Sequence, residues 1–358
     1  MELLVLNTAF ESIALLDSYE SLIWTDRYNE YGDFEIYFPM DKKLLGYLKP
    51  DNYLWLNESE HTMIIEDIRI NSDVEDGDHL IVTGRSIESI LDRRVIYWQR
   101  ITTGSLQEQI ENIIYENIID PSDADRKIDN FIFKSSADSK VTSLKIDTQF
   151  TGDDLYSVVK SVCKENNIGF KVVLTSNNKF EFSLYSGTDR SYDQDTNPYV
   201  VFSPNYENII NSNFYSSKSN FKNVSLIGGE GEGSNRRMAK VGSGTGLERR
   251  EIFTDARDIS STTESGEMNE SDYIAQLEKR GSQDLSEHTE TTAFEGEVEA
   301  TKLFKYGEDF FIGDIIQIAD GYGNEAPAYI SELVISNNDE GLSIYPTFET
   351  ISNRKESE

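Results

Sequence analysis

The feature of this sequence that most constrains its fold is the alternation of apolar and polar residues in "SLIWTDRYNEYGDFEIYFP", residues 21–39. Successive side chains of a strand point to opposite faces, so Leu22 and Trp24 share one face of a first strand. Phe34 and Phe38 share one face of a second strand, and the intervening "NEYG" has the composition of a hairpin turn. The pattern therefore predicts an antiparallel strand pair with one apolar face.

The rest of the first hundred residues mostly keeps this period of two. Segments 63–70 and 79–83 are interpreted as a second strand pair joined by "DVEDGD", in which the Asp-Gly step at 76–77 is a hairpin turn signal. Ser86 is placed to cap a short helix that closes the block. We therefore predict a small antiparallel sheet or barrel over residues 1–98.

The period then changes to that of helices. Ser105 and Glu108 have the spacing of a capping box and precede apolar residues at helical intervals, which predicts an amphipathic helix. A second helix is predicted to start near Thr151, because "LYSVVKSVC" carries an apolar stripe. The two strands that follow are expected at 168–174 and 179–185. Residues 99–197 are therefore predicted to form an α+β module.

Alternation returns after Pro198 and continues towards the end of the chain. One interruption with apolar residues at helical intervals predicts an inserted helix at about 269–288. The strand-like runs that follow are 293–304, 310–318, 328–335 and 342–351. Residues 198–358 are therefore predicted to be a second β-domain. The order β, α+β, β predicts an α+β fold that is mainly β, with two related β-domains flanking the α+β module.

Charge and cysteine content exclude several function classes. The 358 residues include 65 Asp and Glu against 33 Lys and Arg, and the formal charge of -32 repels polyanions, so sequence-specific nucleic-acid binding is not expected. One cysteine rules out an intramolecular disulfide framework. No apolar run has the length of a membrane span, and "MELLVLNTAF" lacks the pattern of a secretion signal, so we expect cytoplasmic folding without stable membrane insertion.

Motifs that carry chemistry are weak in this chain. His61, His79 and His288 lack the HExxH spacing of zinc proteases, and we expect structural or surface roles for them. Cys163 falls on the apolar stripe of its helix, which predicts a buried, unreactive thiol. "IGGEGEGSNRR" matches no nucleotide-binding pattern, and "DVEDGDHLIVTG" fits a hairpin better than a calcium loop. We therefore predict no catalytic residue, no cofactor and no metal site.

Two other function classes stay open on the residues alone. Carboxylate pairs such as Glu66 with Asp67, or Glu30 with Asp33, could act on a glycosidic bond if folding brings them to a suitable separation. A cell-wall or carbohydrate hydrolase that uses such an acidic pair is therefore the alternative to a non-enzymatic role. A monomeric carbohydrate-binding module is a third possibility.

Four segments, taken together, resemble one protein family: the hub or tail-tip proteins of long-tailed phage baseplates, including the Gp37-like proteins of Gram-positive siphoviruses. They are "DSYESLIWTDRYNEYGDFEIYFP", "GRSIESILDRRVIYWQ", "NVSLIGGEGEGSNRR" with "GLERREIFTDARDI", and "FIGDIIQIADGYGN" followed by "YISELVIS" and "YPTFET". These segments extend from residue 17 to residue 350, so the resemblance covers nearly the whole chain. The residues taken from them as a candidate assembly signature are Trp24, Arg27, Tyr28, Gly32, Phe34, Pro39, Arg93, Arg94, Gly313 and Asp314.

The resemblance implies an architecture and a set of partners. Two β-barrel-like tube domains would flank the α+β module, and a homotrimer would form a pseudo-sixfold ring that joins the hexameric tail tube to a threefold tip or spike. The ring would line the conduit for DNA or tube passage. Expected partners are the tail tube or distal tail protein, a spike or tape-measure protein and other baseplate proteins. The expected location is the virion tail tip of a phage or phage-tail-like bacteriocin, assembled in the host cytoplasm.

Overall fold

Strands dominate the computed structural model, and helices are concentrated in the middle of the sequence and near residue 280. The structure describes residues 1–74, 77–150, 152–263, 266–298 and 303–350. The predicted fold class, α+β and mainly β, is confirmed. Two compact units are present: the first comprises Met1–Ser212 and Phe294–Glu349, and the second is built on Asn213–Ala293.

The first strands of the chain form antiparallel neighbours in one sheet. They are β1 (Leu3–Leu6), β2 (Ser12–Leu16), β3 (Ser21–Arg27), β4 (Asp33–Pro39), β5 (Tyr53–Leu56), β6 (Thr62–Asp73) and β7 (Gly77–Ser86), with a short helix α1 (Leu44–Tyr47) between β4 and β5. Strand β1 pairs with β2 and β5, β6 pairs with β5 and β7, and β4 pairs with β7 and β3. Both predicted strand pairs are therefore confirmed.

The strand pair β3–β4 places its apolar residues on one buried face. Trp24 lies opposite Phe34, and both side chains belong to a core that also contains Leu22 and Phe38. The second hairpin pairs β6 with β7, and the backbone of Gly77 has a positive φ of 88°, which glycine adopts without strain. Asp76, the other half of the predicted turn signal, lies outside the described residues.

The α+β module packs helices against short strands. Its elements are β8 (Arg100–Ser105), α2 (Leu106–Ile114), β9 (Phe131–Lys134), α3 (Ser139–Ser143), β10 (Lys145–Phe150), α4 (Leu155–Glu165), β11 (Gly169–Leu174) and β12 (Phe180–Tyr185). A 3-10 helix (Ile87–Arg93) leads into the module, a π-helical turn (Tyr115–Ile119) extends α2, and a further 3-10 turn is Ala124–Arg126. The apolar faces of α2 and α4 enter one core with β11 and β12, as their helical periodicity predicts.

The next strands belong mainly to the second unit. They are β13 (Val201–Phe202), β14 (Ile209–Ser217), β15 (Val224–Gly228), β16 (Met238–Gly242), β17 (Glu251–Asp255), β18 (Thr262–Thr263) and β19 (Gly266–Glu267), followed by helix α5 (Glu270–Glu287), with 3-10 turns at Pro204–Tyr206, Gly233–Asn235 and Gly246–Glu248. Strand β15 lies between β16 and β17, and α5 packs against this sheet. A Cβ on Gly281 would come within 2.4 Å of the Ile227 side chain, so this glycine permits the close packing of the predicted helix.

The last strands lie mostly in the first unit. They are β20 (Thr291–Val298), β21 (Ile315–Ala319), β22 (Glu325–Asn338) and β23 (Gly341–Thr350). In the first unit the strands follow one another in the order β23-β22-β3-β4-β7-β6-β5-β1-β2, and β21 joins β22 to β13. Parts of the predicted runs 293–304 and 342–351 lie outside the described residues. The pairing of β22 with β3 joins the two β-regions of the sequence in one sheet.

This sheet stays open in the part of the chain that the structure describes. Strand β2 stands at one end of the order and pairs with β1, and the described strands form no closed barrel. The boundaries 1–98, 99–197 and 198–358 remain a prediction.

Two predicted helix caps are wrong. Ser86 and Ser105 stand at N-cap positions, but neither side chain makes a capping hydrogen bond. The Ser86 hydroxyl instead accepts a hydrogen bond from the Gly32 N–H at 2.8 Å. Helix α4 begins at Leu155, not near residue 151, because the Asp154 carboxylate caps it by accepting from a backbone N–H in the first turn.

Candidate functional site

The signature residue Arg27 links three strands of the first unit. Its Nε donates to Glu332 Oε2 on β22 at 2.7 Å, and its Nη1 donates to Asp33 Oδ2 on β4 at 2.7 Å. The same Nη1 also donates to the Tyr31 carbonyl at 3.1 Å. A guanidinium is suited to this position because it presents several donors in one plane. Arg27 therefore fixes β3 against both of its neighbouring strands.

Tyr28 follows directly and is buried between strands of the first unit. Its ring lies edge-on to Tyr185, with centroids 5.3 Å apart, and also contacts Tyr329. Its hydroxyl donates to the Asn167 carbonyl and accepts from the Gly187 N–H, each at 3.2 Å. Burial raises the pKa of Tyr28 well above its usual range. The phenol is therefore a packed, hydrogen-bonded anchor and not an ionisable surface group.

Gly313 and Asp314 complete the anchor around Tyr28. Gly313 has a positive φ of 88°, and a Cβ there would come within 2.3 Å of the Tyr28 ring, so the position requires glycine. The buried Asp314 carboxylate accepts from the Thr188 N–H at 2.7 Å and from Arg190 Nε at 2.8 Å. These contacts attach the segment before β21 to the segment that follows β12.

Four more signature residues shape the hairpin itself. A Cβ on Gly32 would lie 2.1 Å from the Thr25 carbonyl oxygen, so only glycine fits at this position of the turn. Trp24 and Phe34 pack with ring centroids 5.9 Å apart. Pro39 is exposed at the end of β4, where a missing N–H costs the sheet little.

Arg93 and Arg94 lie at the end of the 3-10 helix that enters the α+β module. Arg94 donates from Nε and Nη2 to the Arg126 carbonyl, at 3.0 and 2.8 Å. Arg93 is half exposed, and its nearest carboxylate is Asp51 at 3.8 Å. Burial, together with the charges of Arg126 and Arg93, lowers the pKa of Arg94. Arg94 therefore fixes the segment that leads into the α+β module, whereas Arg93 is a surface residue.

The structure also contains a buried polar network that the sequence analysis did not find. Asp26 points into the core from β3, where its Oδ1 accepts from Trp24 Nε1 at 3.1 Å and its Oδ2 accepts from the Ser59 hydroxyl at 2.7 Å. Burial raises the pKa of Asp26. One sequence signal was available, because Asp26 has the same parity along the strand as Leu22 and Trp24 and therefore had to face inward.

The second half of the network is a buried ion pair. His61 Nδ1 lies 2.9 Å from Glu88 Oε1, and the same oxygen accepts from the Val172 N–H at 2.7 Å. Burial alone would lower the pKa of His61, but the charges of Glu88 and Asp26 outweigh it and raise that pKa to about 9. Burial alone would raise the pKa of Glu88, but pairing with His61 outweighs burial and lowers that pKa. The expectation of a structural role for His61 fits this burial.

Three of the four acidic residues of the hydrolase alternative, Glu66, Glu30 and Asp33, form ion pairs. Glu66 accepts two hydrogen bonds from Arg85, both at 2.8 Å. Glu30 pairs with Lys160 at 2.9 Å, and Asp33 is held by Arg27. These contacts explain the carboxylates as parts of the fold, and the geometry gives no support to a catalytic pair.

The described part of the chain contains one further residue of a reactive type, the thiol of Cys163. Cys163 is fully buried, as predicted, and burial raises the pKa of its thiol. No cluster of three or more His, Cys, Asp or Glu residues is placed to hold a metal ion among the described residues. None of the helices within the described ranges is both long and apolar enough to cross a membrane.

Known structures share this fold. The chain is similar to the prophage MuSo2 43 kDa tail protein of Shewanella oneidensis, with a TM-score of 0.62 and 10% identity over 98% of both chains. The tail protein of Neisseria meningitidis MC58 gives a TM-score of 0.57 and 11% identity over 97% of this chain and 96% of that one. Prophage tail protein gp18 of Listeria monocytogenes EGD-e gives 0.56 and 12%, over 99% and 95%.

Sequence comparison identifies the family. Comparison with curated proteins gives no match. The model of the siphovirus ReqiPepy6 Gp37-like proteins, in contrast, matches residues 2–348, which is nearly the whole chain and agrees with the resemblance carried by the four segments. The chain therefore belongs to the siphovirus ReqiPepy6 Gp37-like protein family.

Proposed function

We propose that this protein is a structural hub or tail-tip component of a phage or phage-tail-like baseplate. The observation that carries the proposal is the combination of the family match with a fold shared, over nearly the full length of both chains, with three tail proteins. Whole-chain agreement matters because a single borrowed module would match only part of the chain. The protein acts by assembly and has no enzymatic activity.

In this proposal three copies form a pseudo-sixfold ring. The two β-regions of each chain serve as its barrel-like tube domains, and the ring joins the hexameric tail tube to a threefold tip or spike. A head-to-tail contact that closes after a fixed number of copies generates such a ring. The ring lines the conduit, and its partners are the tube or distal tail protein, a spike or tape-measure protein and other baseplate proteins.

Two features of the chain support this role. The formal charge of -32 gives a surface that repels polyanions, which suits a conduit through which DNA passes without adhering. The contacts of Arg27, Tyr28 and Asp314 join segments that are far apart in the sequence. Such cross-links hold distant segments of the subunit together, which suits a structural component.

The location of the protein in assembled particles tests the proposal. Gold-labelled antibodies raised against the purified chain are applied to intact tails and viewed by negative-stain electron microscopy. We expect label at one end of the tail only. Label along the whole tube or on the capsid, or particles that lack the protein, would contradict a tail-tip role.

A further inference from the structure

One surface of the first unit exposes large aromatic side chains next to arginines. Trp98 is 81% exposed and Tyr97 is 55% exposed, so two large aromatic rings are in contact with solvent. The guanidinium of Arg126 stacks over the Tyr97 ring at 4.2 Å from its centroid, and Arg94 adjoins Arg126. These four residues, Arg94, Tyr97, Trp98 and Arg126, are called the Trp98 surface below.

The backbone beneath this surface is firmly held. Ile96 is buried, its N–H donates to the Asp153 carbonyl at 2.9 Å, and its own carbonyl accepts from the Gly152 N–H at 2.8 Å. Arg126 Nη2 donates to the Val95 carbonyl at 2.7 Å. The aromatic side chains therefore project from a fixed segment, and ordering this segment on binding costs little further entropy.

The arginines of this surface carry positive charge that no carboxylate neutralises directly. Arg94 donates to backbone carbonyls, and Arg126 donates to the Val95 carbonyl and the Asn117 side-chain oxygen. Among the described residues neither guanidinium forms an ion pair with a carboxylate. The lowered pKa of Arg94, caused by burial and then by the charges of Arg126 and Arg93, agrees with a crowded positive site. The chain as a whole has the opposite sign, with a charge of -32.

We propose that the Trp98 surface docks onto a carboxylate-rich face of a second copy of this chain. Charge complementarity favours a second copy as the partner. The surface has two guanidinium groups without a carboxylate partner, and the chain has nearly twice as many acidic as basic residues. A surface that binds a different face of the next copy makes a head-to-tail contact. The inference deepens the proposed ring and rests on it.

Arginine, tyrosine and tryptophan are also the residues that most often dominate binding energy at protein interfaces. Trp98 would fill a pocket on the neighbouring copy, while Arg94 and Arg126 pair with its carboxylates. The contact therefore combines apolar burial with charge. It should weaken as salt concentration rises, since exposed charge pairs are screened.

A photo-crosslinking amino acid at position 98 tests the contact directly. The full chain is purified with the crosslinker in place of Trp98 and, as a matched control, with the crosslinker in place of Tyr322, which is 94% exposed in the turn between β21 and β22. We expect irradiation to join copies through position 98, at peptides rich in Asp and Glu, and not through position 322.

The variants Trp98→Glu and Tyr322→Glu provide the quantitative test, because both add one negative charge at an exposed aromatic position. Light scattering across a concentration series should show association weakened by about tenfold or more for Trp98→Glu and unchanged for Tyr322→Glu. Equal association of wild type and Trp98→Glu would overturn the inference while leaving the ring intact. The inference would also be overturned if the wild type stays monomeric and position 98 crosslinks to a different tail protein in particles. The Trp98 surface would then bind that protein and not a second copy of this chain.

Discussion

At the scale of single residues, the buried face of the hairpin allows a direct stability test. Phe34 is 3% exposed and packs on Trp24, so Phe34→Ala leaves a cavity and should destabilise the first unit by about 3–5 kcal/mol. Ile23 lies on the opposite face of the same hairpin and is 43% exposed. Urea denaturation should show a much smaller loss for Ile23→Ala. Equal losses for the two variants would contradict the inward assignment of Phe34.

Gly32 and Gly46 form a second matched pair. A Cβ on Gly32 would clash with the Thr25 carbonyl oxygen, whereas a Cβ on Gly46 in helix α1 meets nothing within 4 Å. We expect Gly32→Ala to destabilise by about 1–3 kcal/mol through overpacking. Gly46→Ala should be neutral or stabilise by up to about 1 kcal/mol, because alanine favours a helix. Thermal unfolding of both variants measures the difference, and a stable Gly32→Ala protein would refute the close approach.

The buried pair of His61 and Glu88 predicts a particular pH dependence. The pKa of His61 is raised from 6.5 to about 9, so its contribution to stability is complete below pH 6.5 and is lost as pH rises through about 9. The pKa of Glu88 is lowered, so its contribution is present above its usual 4.5 and is lost at lower pH. Asp26 has the opposite effect to Glu88 on the pH dependence of stability. Its pKa is raised, so ionising its buried carboxyl group as pH rises destabilises the folded protein.

The test compares His61→Gln with wild type by denaturant unfolding at about pH 6 and about pH 10. The loss of stability should be large at the lower pH, since the variant leaves Glu88 charged and unpaired, and it should shrink at the higher pH, where His61 is neutral in both states. The loss caused by Phe34→Ala involves no titrating group and should be the same at both. A pH-independent loss for His61→Gln would refute the charged pair.

Single residues also show what the sequence could and could not reveal. The burial of Trp24 and Cys163 follows from strand parity and helix periodicity, and both predictions are confirmed. Asp26 could have been predicted to face inward by the same parity. The pairing of His61 with Glu88 had no local signal, because it depends on packing between the residue just before β6 and the 3-10 helix that follows β7.

At the scale of elements, the contact between β3 and β22 is the feature least visible in the sequence. Arg27 and Glu332 are 305 residues apart, and periodicity predicts strands but not which distant strands pair. The hairpins, helix α4 and helix α5 were predicted because their patterns are local. The failed cap at Ser105 shows that capping-box spacing alone does not determine the side-chain geometry.

A double-mutant cycle measures how strongly Arg27 couples these strands. Arg27→Ala, Glu332→Ala and their combination should give a coupling energy of about 1–3 kcal/mol, because the hydrogen bond is charge-assisted and both side chains are mostly buried. The control cycle uses Lys305 and Glu308, a mostly exposed pair at 3.7 Å, and should give less than about 0.5 kcal/mol. A coupling energy no larger than that of the control would show that Arg27 does not stabilise the contact between β3 and β22.

At the scale of the whole molecule, the sequence predicted the fold class, and the four segments indicated the family that the comparison then confirmed. Local alternation does not determine whether a sheet closes, and the described strands form an open sheet. The boundaries 1–98, 99–197 and 198–358 stay a prediction, and the pairing of β22 with β3 is a contact between distant segments that local patterns do not reveal. Assembly depends on surfaces that meet only in another copy, so the ring remains a proposal.

The measurement that tests the proposed assembly most directly is the mass of the purified protein. Light scattering across a concentration series, with negative-stain images of the same samples, should show three chains per particle and a ring with a central hole. A monomer at every concentration, with no ring in the images, would contradict the assembly proposed for this protein.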